Sequence, residues 1–123
     1  MKLDYTSSDL SQRITILKRK VVKDAKMNAV ETFTRLKTVW SYVEVRAALN
    51  ASYEQIQHGV TRYFMVIRWD DELFKNIDAI EYGGNFLRLV SPPYKGERKF
   101  IIINCRELDL DEKRPPIAFP GLP

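Results

Sequence analysis

A single cysteine, Cys105, among 123 residues leaves no intramolecular disulfide and no multi-cysteine zinc site to build. A lone free cysteine fits a reducing compartment. Histidine is equally scarce, and His58 stands alone. A catalytic histidine needs an orienting carboxylate and a nucleophile within hydrogen-bond reach. No serine or cysteine sits in a G-x-S-x-G turn, so His58 reads as an exposed residue closing a helical stretch. Glycine is sparse too. Gly83, Gly84 and Gly96 form neither G-x-x-x-x-G-K-[ST] nor G-x-G-x-x-G, which excludes both common phosphate-cradling loops. No apolar run approaches the ~20 residues of a membrane span. Residues 1–12 are polar and lack the apolar core of a signal peptide. The expectation is a protein made in the cytoplasm, with no membrane partner.

Charge is present but dispersed. Lysine and arginine total 20 against 16 acidic side chains, a net charge of +4. A nucleic-acid binder concentrates such an excess in one stripe. Here the densest run is Lys18, Arg19, Lys20, Lys23 and Lys26, interrupted by Asp24. A solvated strand edge followed by a turn accounts for that run. Asp70, Asp71 and Glu72 could hold a hard cation through their oxygens, but they read better as a polar strand end beginning a turn. Asp109, Asp111 and Glu112 resemble the opening of a calcium loop, yet Lys113 and Arg114 stand where that loop needs a ligand and a glycine. Cys105, inside the apolar run 100–105, reads as a small buried hydrophobe. Tyr63, Phe64 and Trp69, beside Arg62 and Arg68, could stack bases, but they read better as ordinary core packing. No catalytic residue, metal ligand or cofactor is assigned.

What the sequence does contain is strand periodicity. Residues 12–22 carry β-branched Ile14, Thr15 and Ile16. In residues 36–45, Val39, Ser41, Val43 and Val45 share one face and Trp40, Tyr42 and Glu44 the other. In residues 60–69, Tyr63, Met65, Ile67 and Trp69 oppose Phe64 and Val66. Two short strands, 79–82 and 86–90, meet at Gly83-Gly84, whose positive φ angles make a tight hairpin turn. Residues 99–107 are nearly continuous in apolar side chains, so that strand should be buried on both faces. The predicted fold is all-β, a small barrel or sandwich of about six strands with one short helical insertion.

That insertion is residues 46–59, where Leu49, Tyr53 and Ile56 fall at helical spacing. It is longer than a turn between two long strands requires, so these three are candidate contacts with a neighbouring subunit or a lumen; closing one end of the barrel is the alternative. Residues 1–9 read as an N-terminal extension, 10–108 as the barrel and 109–123 as an extended proline-rich tail. Pro115, Pro116, Pro120 and Pro123 argue that the tail does not continue a sheet. Ile117, Phe119 and Leu122 give it an apolar character, making it a candidate arm that docks on a neighbour or on its own barrel. Removal of residues 115–123 is expected to leave the barrel folded and to impair assembly.

The order of segments carries a resemblance. LSQRITI at 10–16 is followed by VETF at 30–33, VWSYVEV at 39–45, QHGVTRYFMVIRW at 57–69, IEYGGNFLRLV at 80–90 and ERKFIIINCREL at 97–108. That series resembles the phage head–tail adaptor family, also called head-closure or stopper proteins, over residues 10–108. The chain departs from the family pattern at Phe33, where tryptophan is usual, at Arg62, where histidine is usual, and at Gly83-Gly84-Asn85, where the turn lacks an arginine. The resemblance implies a non-enzymatic virion protein that forms a ring at the head–tail junction. Its partners would be further copies of itself, a portal or adaptor ring on the head side, a tail protein on the other, and the packaged DNA. A small barrel that binds nucleic acid is the alternative. Affinity for DNA that falls steeply with salt would distinguish it.

Overall fold

The structure, a computed structural model, describes residues 5–46, 60–97 and 99–118. Its elements are β1 (Gln12–Lys23), β2 (Ala29–Arg46), β3 (Arg62–Arg68), α1 (Asp71–Phe74), β4 (Ala79–Tyr82), β5 (Asn85–Leu89), β6 (Tyr94–Gly96), β7 (Phe100–Glu107) and β8 (Ile117–Ala118). The fold is all-β. Strands β1-β4-β5-β7-β3-β2 are hydrogen-bonded in that order, and β2 pairs again with β1, so six strands close in a ring. Closure removes the open edges that a flat sheet would expose. The helical insertion expected at 46–59 begins on Arg46, the last residue of β2, and residues 47–59 lie outside the described part of the chain.

Alternation sorts side chains to the two sides of the ring. Inside lie Ile14, Ile16, Met65, Ile67, Ile80, Leu87, Ile101, Ile103 and Cys105. On β3 and β7 the outward set, Phe64, Val66, Phe100 and Ile102, is also buried, because Tyr5 and Leu10 of the N-terminal segment cover it. This explains the unbroken apolar run of β7: both faces are out of water. The β4–β5 turn is Gly83-Gly84, with φ of 58° and 80° between the paired residues Tyr82 and Asn85, the backbone that a two-residue hairpin demands.

Strand β2 starts seven residues before the expected 36, because Ala29 to Ser41 pair along all of β1. Val30, Thr32 and Thr34 supply the β-branched side chains for this stretch. The β1–β2 turn is held by Asp24, whose Oδ1 accepts the N–H groups of Lys26 and Asn28, with Met27 at φ 64°. Side chains 18–23 of β1 are exposed, so the basic run is a strand edge leading to a turn.

Two further elements depart from the expectation. Pro92 and Pro93 interrupt the strand after β5, yet the chain returns as β6 to pair Tyr94–Gly96 with β7. The proline-rich tail does continue the sheet: β8 pairs in parallel with β2 at Phe33 and Thr34. Proline lacks an N–H but keeps its carbonyl, and the Phe33 N–H donates to the Pro116 oxygen at 2.9 Å. Pro115 and Pro116 precede the pairing and sit at the sheet's margin, where proline is tolerated.

Candidate functional site

The residues with chemical potential are mostly committed to structure. Cys105 is fully buried, with its Sγ 3.8 Å from the Met65 sulfur, and burial pushes its thiol up to about 12. A thiol kept neutral is a poor nucleophile. Native protein at pH 8 should therefore resist alkylation, with Cys105 labelled only after denaturation; mass spectrometry of the two samples checks this.

Asp70 caps α1 by accepting the Leu73 N–H at 3.1 Å, and this bond holds its carboxyl below the usual carboxylate range. Asp71 accepts the Trp69 indole N–H at 2.7 Å. The acidic trio is thus a strand end passing into a one-turn helix. Asp109 likewise turns the chain, its Oδ1 accepting the N–H groups of Asp111 and Glu112. Among the described residues no three acidic, histidine or cysteine side chains are grouped to hold a metal. His58 lies outside the described residues. Tyr63 packs edge-on to Tyr82 and donates its hydroxyl to Glu107, and burial is the main cause that drives its pKa up to about 12. Phe64 is buried, and partly buried Trp69 packs tilted against Phe74 at 4.7 Å with the Lys95 ammonium 5.1 Å from its ring, so both rings are engaged in packing.

Of the docking candidates, Leu49, Tyr53, Ile56, Phe119 and Leu122 fall outside the described residues. Ile117 is described, and it docks on its own barrel. It packs against Leu17, Phe33, Ala79 and Phe86, an apolar patch on the outer side of the ring. Phe33, at the position where the resembled family carries tryptophan, is 2% exposed and meets the Phe86 ring edge-on at 4.9 Å. An ion-pair network fastens the same segment. Glu112 is bound by Arg106 and, at 2.9 Å, by Arg88. Arg88 also meets Glu31 at 3.0 Å, and Arg114 meets Glu81 at 3.1 Å beside the Arg35–Glu81 pair.

Among the described residues, three exposed features of the outer surface have apolar side chains that sequence reading did not assign to a surface. The β1–β2 hairpin carries exposed Val21, Val22 and Met27 among lysines. Leu110 stands 83% exposed at the turn after β7. An open depression of about 490 Å³ is lined by Ser7, Ser8, Leu10, Ser11, Trp40 and Arg68. Trp40 is half exposed there, with the Arg13 guanidinium 4.6 Å over its ring. Tryptophan beside arginine is typical of the anchors that dominate protein interfaces. The strand pattern had placed Trp40 opposite Val39 and Val43. It could not show that Arg13 is its cross-strand partner.

The fold and surfaces define a small all-β module whose outer face carries exposed apolar side chains. The family model for phage head completion protein matches residues 5–108, and the chain belongs to that family. It is a structural protein of phage head completion, a component of the virion. The chain is also similar to the solution structure of protein SF1141 from Shigella flexneri 2a, with 25% identity, a TM-score of 0.58, and coverage of 89% of this chain and 100% of that one. No curated protein matches the chain significantly.

Proposed function

We propose that the chain forms a ring at the head–tail junction of a tailed phage. There it closes the filled head, retains DNA and receives the tail. The observation that carries this reading is membership of the head completion family over residues 5–108, which contain all six strands of the closed ring. A closed ring of strands with exposed apolar side chains on its outer side suits an array in which weak contacts are repeated and closed by symmetry. The partners are further copies of the chain, a portal or adaptor ring on the head side, a tail protein on the other, and the DNA held between. Electron microscopy of particles assembled without this protein tests it. Finished free tails beside tailless, leaking heads are expected; normal tailed particles would overturn the reading.

Two expectations belong to the same proposal. The isolated chain should sediment at micromolar concentration as a monomer or weak oligomer that forms its ring on docking; a stable dimer with an extensive apolar interface would count against a ring. In residues 46–59, Leu49, Tyr53 and Ile56 are proposed to contact a neighbour or narrow the channel. Joint replacement Tyr53→Ser and Ile56→Ser should then lower infectious titre and leave the unfolding midpoint nearly unchanged. A loss of several kcal/mol, at about 2 or more per buried side chain, would instead make them a plug for the barrel's end.

A further inference from the structure

Resting on the ring reading, we infer that the Trp40 depression is the socket of a head-to-tail contact, and that its occupant is the Asp109–Leu110–Asp111 turn of the next copy of this chain. The socket is apolar in its floor, Leu10 and Trp40, and cationic at its margin, Arg13 and Arg68. Arg68 is steadied by donating to the Ser7 hydroxyl at 2.9 Å. Such a site fits an apolar knob flanked by carboxylates.

This chain carries one. Leu110, at 83% exposure, is the most exposed large apolar side chain among the described residues, and exposed Asp111 follows it. The turn is preorganised, because Asp109 accepts two of its N–H groups and Arg88 and Arg106 clamp Glu112 at its end. A rigid knob loses little entropy on docking. The next most exposed apolar residue, Met27 at 69%, sits in a hairpin with Lys23 and Lys26, and would bring cations against cations. A nucleobase is a weaker fit, because Arg13 already covers one face of the indole.

Placement around the ring supports the pairing. The socket lies between Trp40 of β2, Arg68 at the end of β3 and the segment that precedes β1. The knob is fastened to Arg88 of β5 and Arg106 of β7. In the closed order β1-β4-β5-β7-β3-β2 the first and last strands are separated from β5 and β7 by β4 and β3, although Arg88 reaches across to Glu31 at the start of β2. A surface and its complement at two different places on one subunit generate a heterologous array, which becomes a ring when the rotation closes.

Cysteines placed beside the contact, Ser11→Cys at the socket and Lys113→Cys at the knob, leave both anchors intact at exposed positions. In particles carrying the double variant, a short bismaleimide should give a ladder of covalent oligomers of this chain, and neither single variant should give more than a trace. Charge reversal supplies a second readout. Arg13→Glu or Asp111→Lys alone should lower titre roughly tenfold or more, and the two together should recover most of it. Rings visible at the junction without a ladder or a recovery would overturn this contact and leave the ring reading standing. Absence of any ring of this chain would overturn the ring reading, and this contact with it. Salt-sensitive binding of single-stranded DNA by the purified chain, abolished by Arg13→Glu, would assign the socket to nucleic acid and also overturn the contact.

Discussion

Removing residues 109–123 should lower the unfolding midpoint of the isolated chain by roughly 10 °C or more, because about 3 kcal/mol of packing and ion pairing is lost and each 1 kcal/mol shifts a domain of this size by about 4 °C. Three contributions are named in the structure. Ile117 no longer shields Phe33, Leu17, Ala79 and Phe86, which are at most 3% exposed with the segment in place. The Phe33 N–H loses the Pro116 oxygen. Arg88 and Arg106 lose Glu112, and Glu81 keeps Arg35 but loses Arg114. The ring of six strands does not depend on β8, so the truncated chain should still fold cooperatively. Any defect in assembly must therefore be measured at a temperature where the truncated chain is native. A midpoint within a few degrees of the full chain would mean that the segment is not fastened as described. Ile117→Asp in the full chain separates the apolar part, and should cost about 1–3 kcal/mol by itself.

The sequence left open whether the segment docks on a neighbour or on its own barrel; Ile117, the described one of its apolar residues, packs on its own sheet. Proline argued against sheet, and the rule is sound for the residues it governs. It failed at Ile117 and Ala118 because pairing needs only the carbonyl of Pro116 and two non-proline residues. The same blind spot hid β6 behind Pro92 and Pro93. Strands whose two faces differ, or whose turn chemistry is unambiguous, were legible. Met65 and Ile67 against Phe64 and Val66 alternate in the folded ring as they do in the sequence, and Gly83-Gly84 turns as its residue types require. Strand order was not legible. Nothing local says that Arg13 lies across from Trp40, or that Glu112 reaches back to Arg88. The candidate socket depends on pairings between residues far apart in the chain, and the closure of the ring creates them.

Glu112→Gln should cost about 1–2 kcal/mol at neutral pH, the range for a charge-assisted hydrogen bond lost at a partly exposed site. Its hydrogen bond from Arg106 is the largest influence on the carboxyl. Burial opposes it, and the Asp109 N–H and Arg88 add to it, lowering the pKa from 4.5 to about 2. The sign follows from linkage. A carboxyl with a depressed folded-state pKa stabilises the native protein fully above its unfolded value, near 4.5. That contribution fades as pH falls toward about 2. Glutamine has no such titration. The stability gap between the natural chain and the Glu112→Gln variant should therefore be constant from pH 7 to about pH 5 and shrink toward zero by about pH 2. Glu31, Glu44, Glu81 and Asp70 also have lowered pKa values and weaken both proteins in acid. Only the difference between the two isolates Glu112. Urea titrations at four pH values suffice. A gap that does not narrow in acid would mean that Glu112 supports the turn by its shape rather than its charge. In that case Leu110 would still be presented, but the clamp by Arg88 and Arg106 would not be what fixes it.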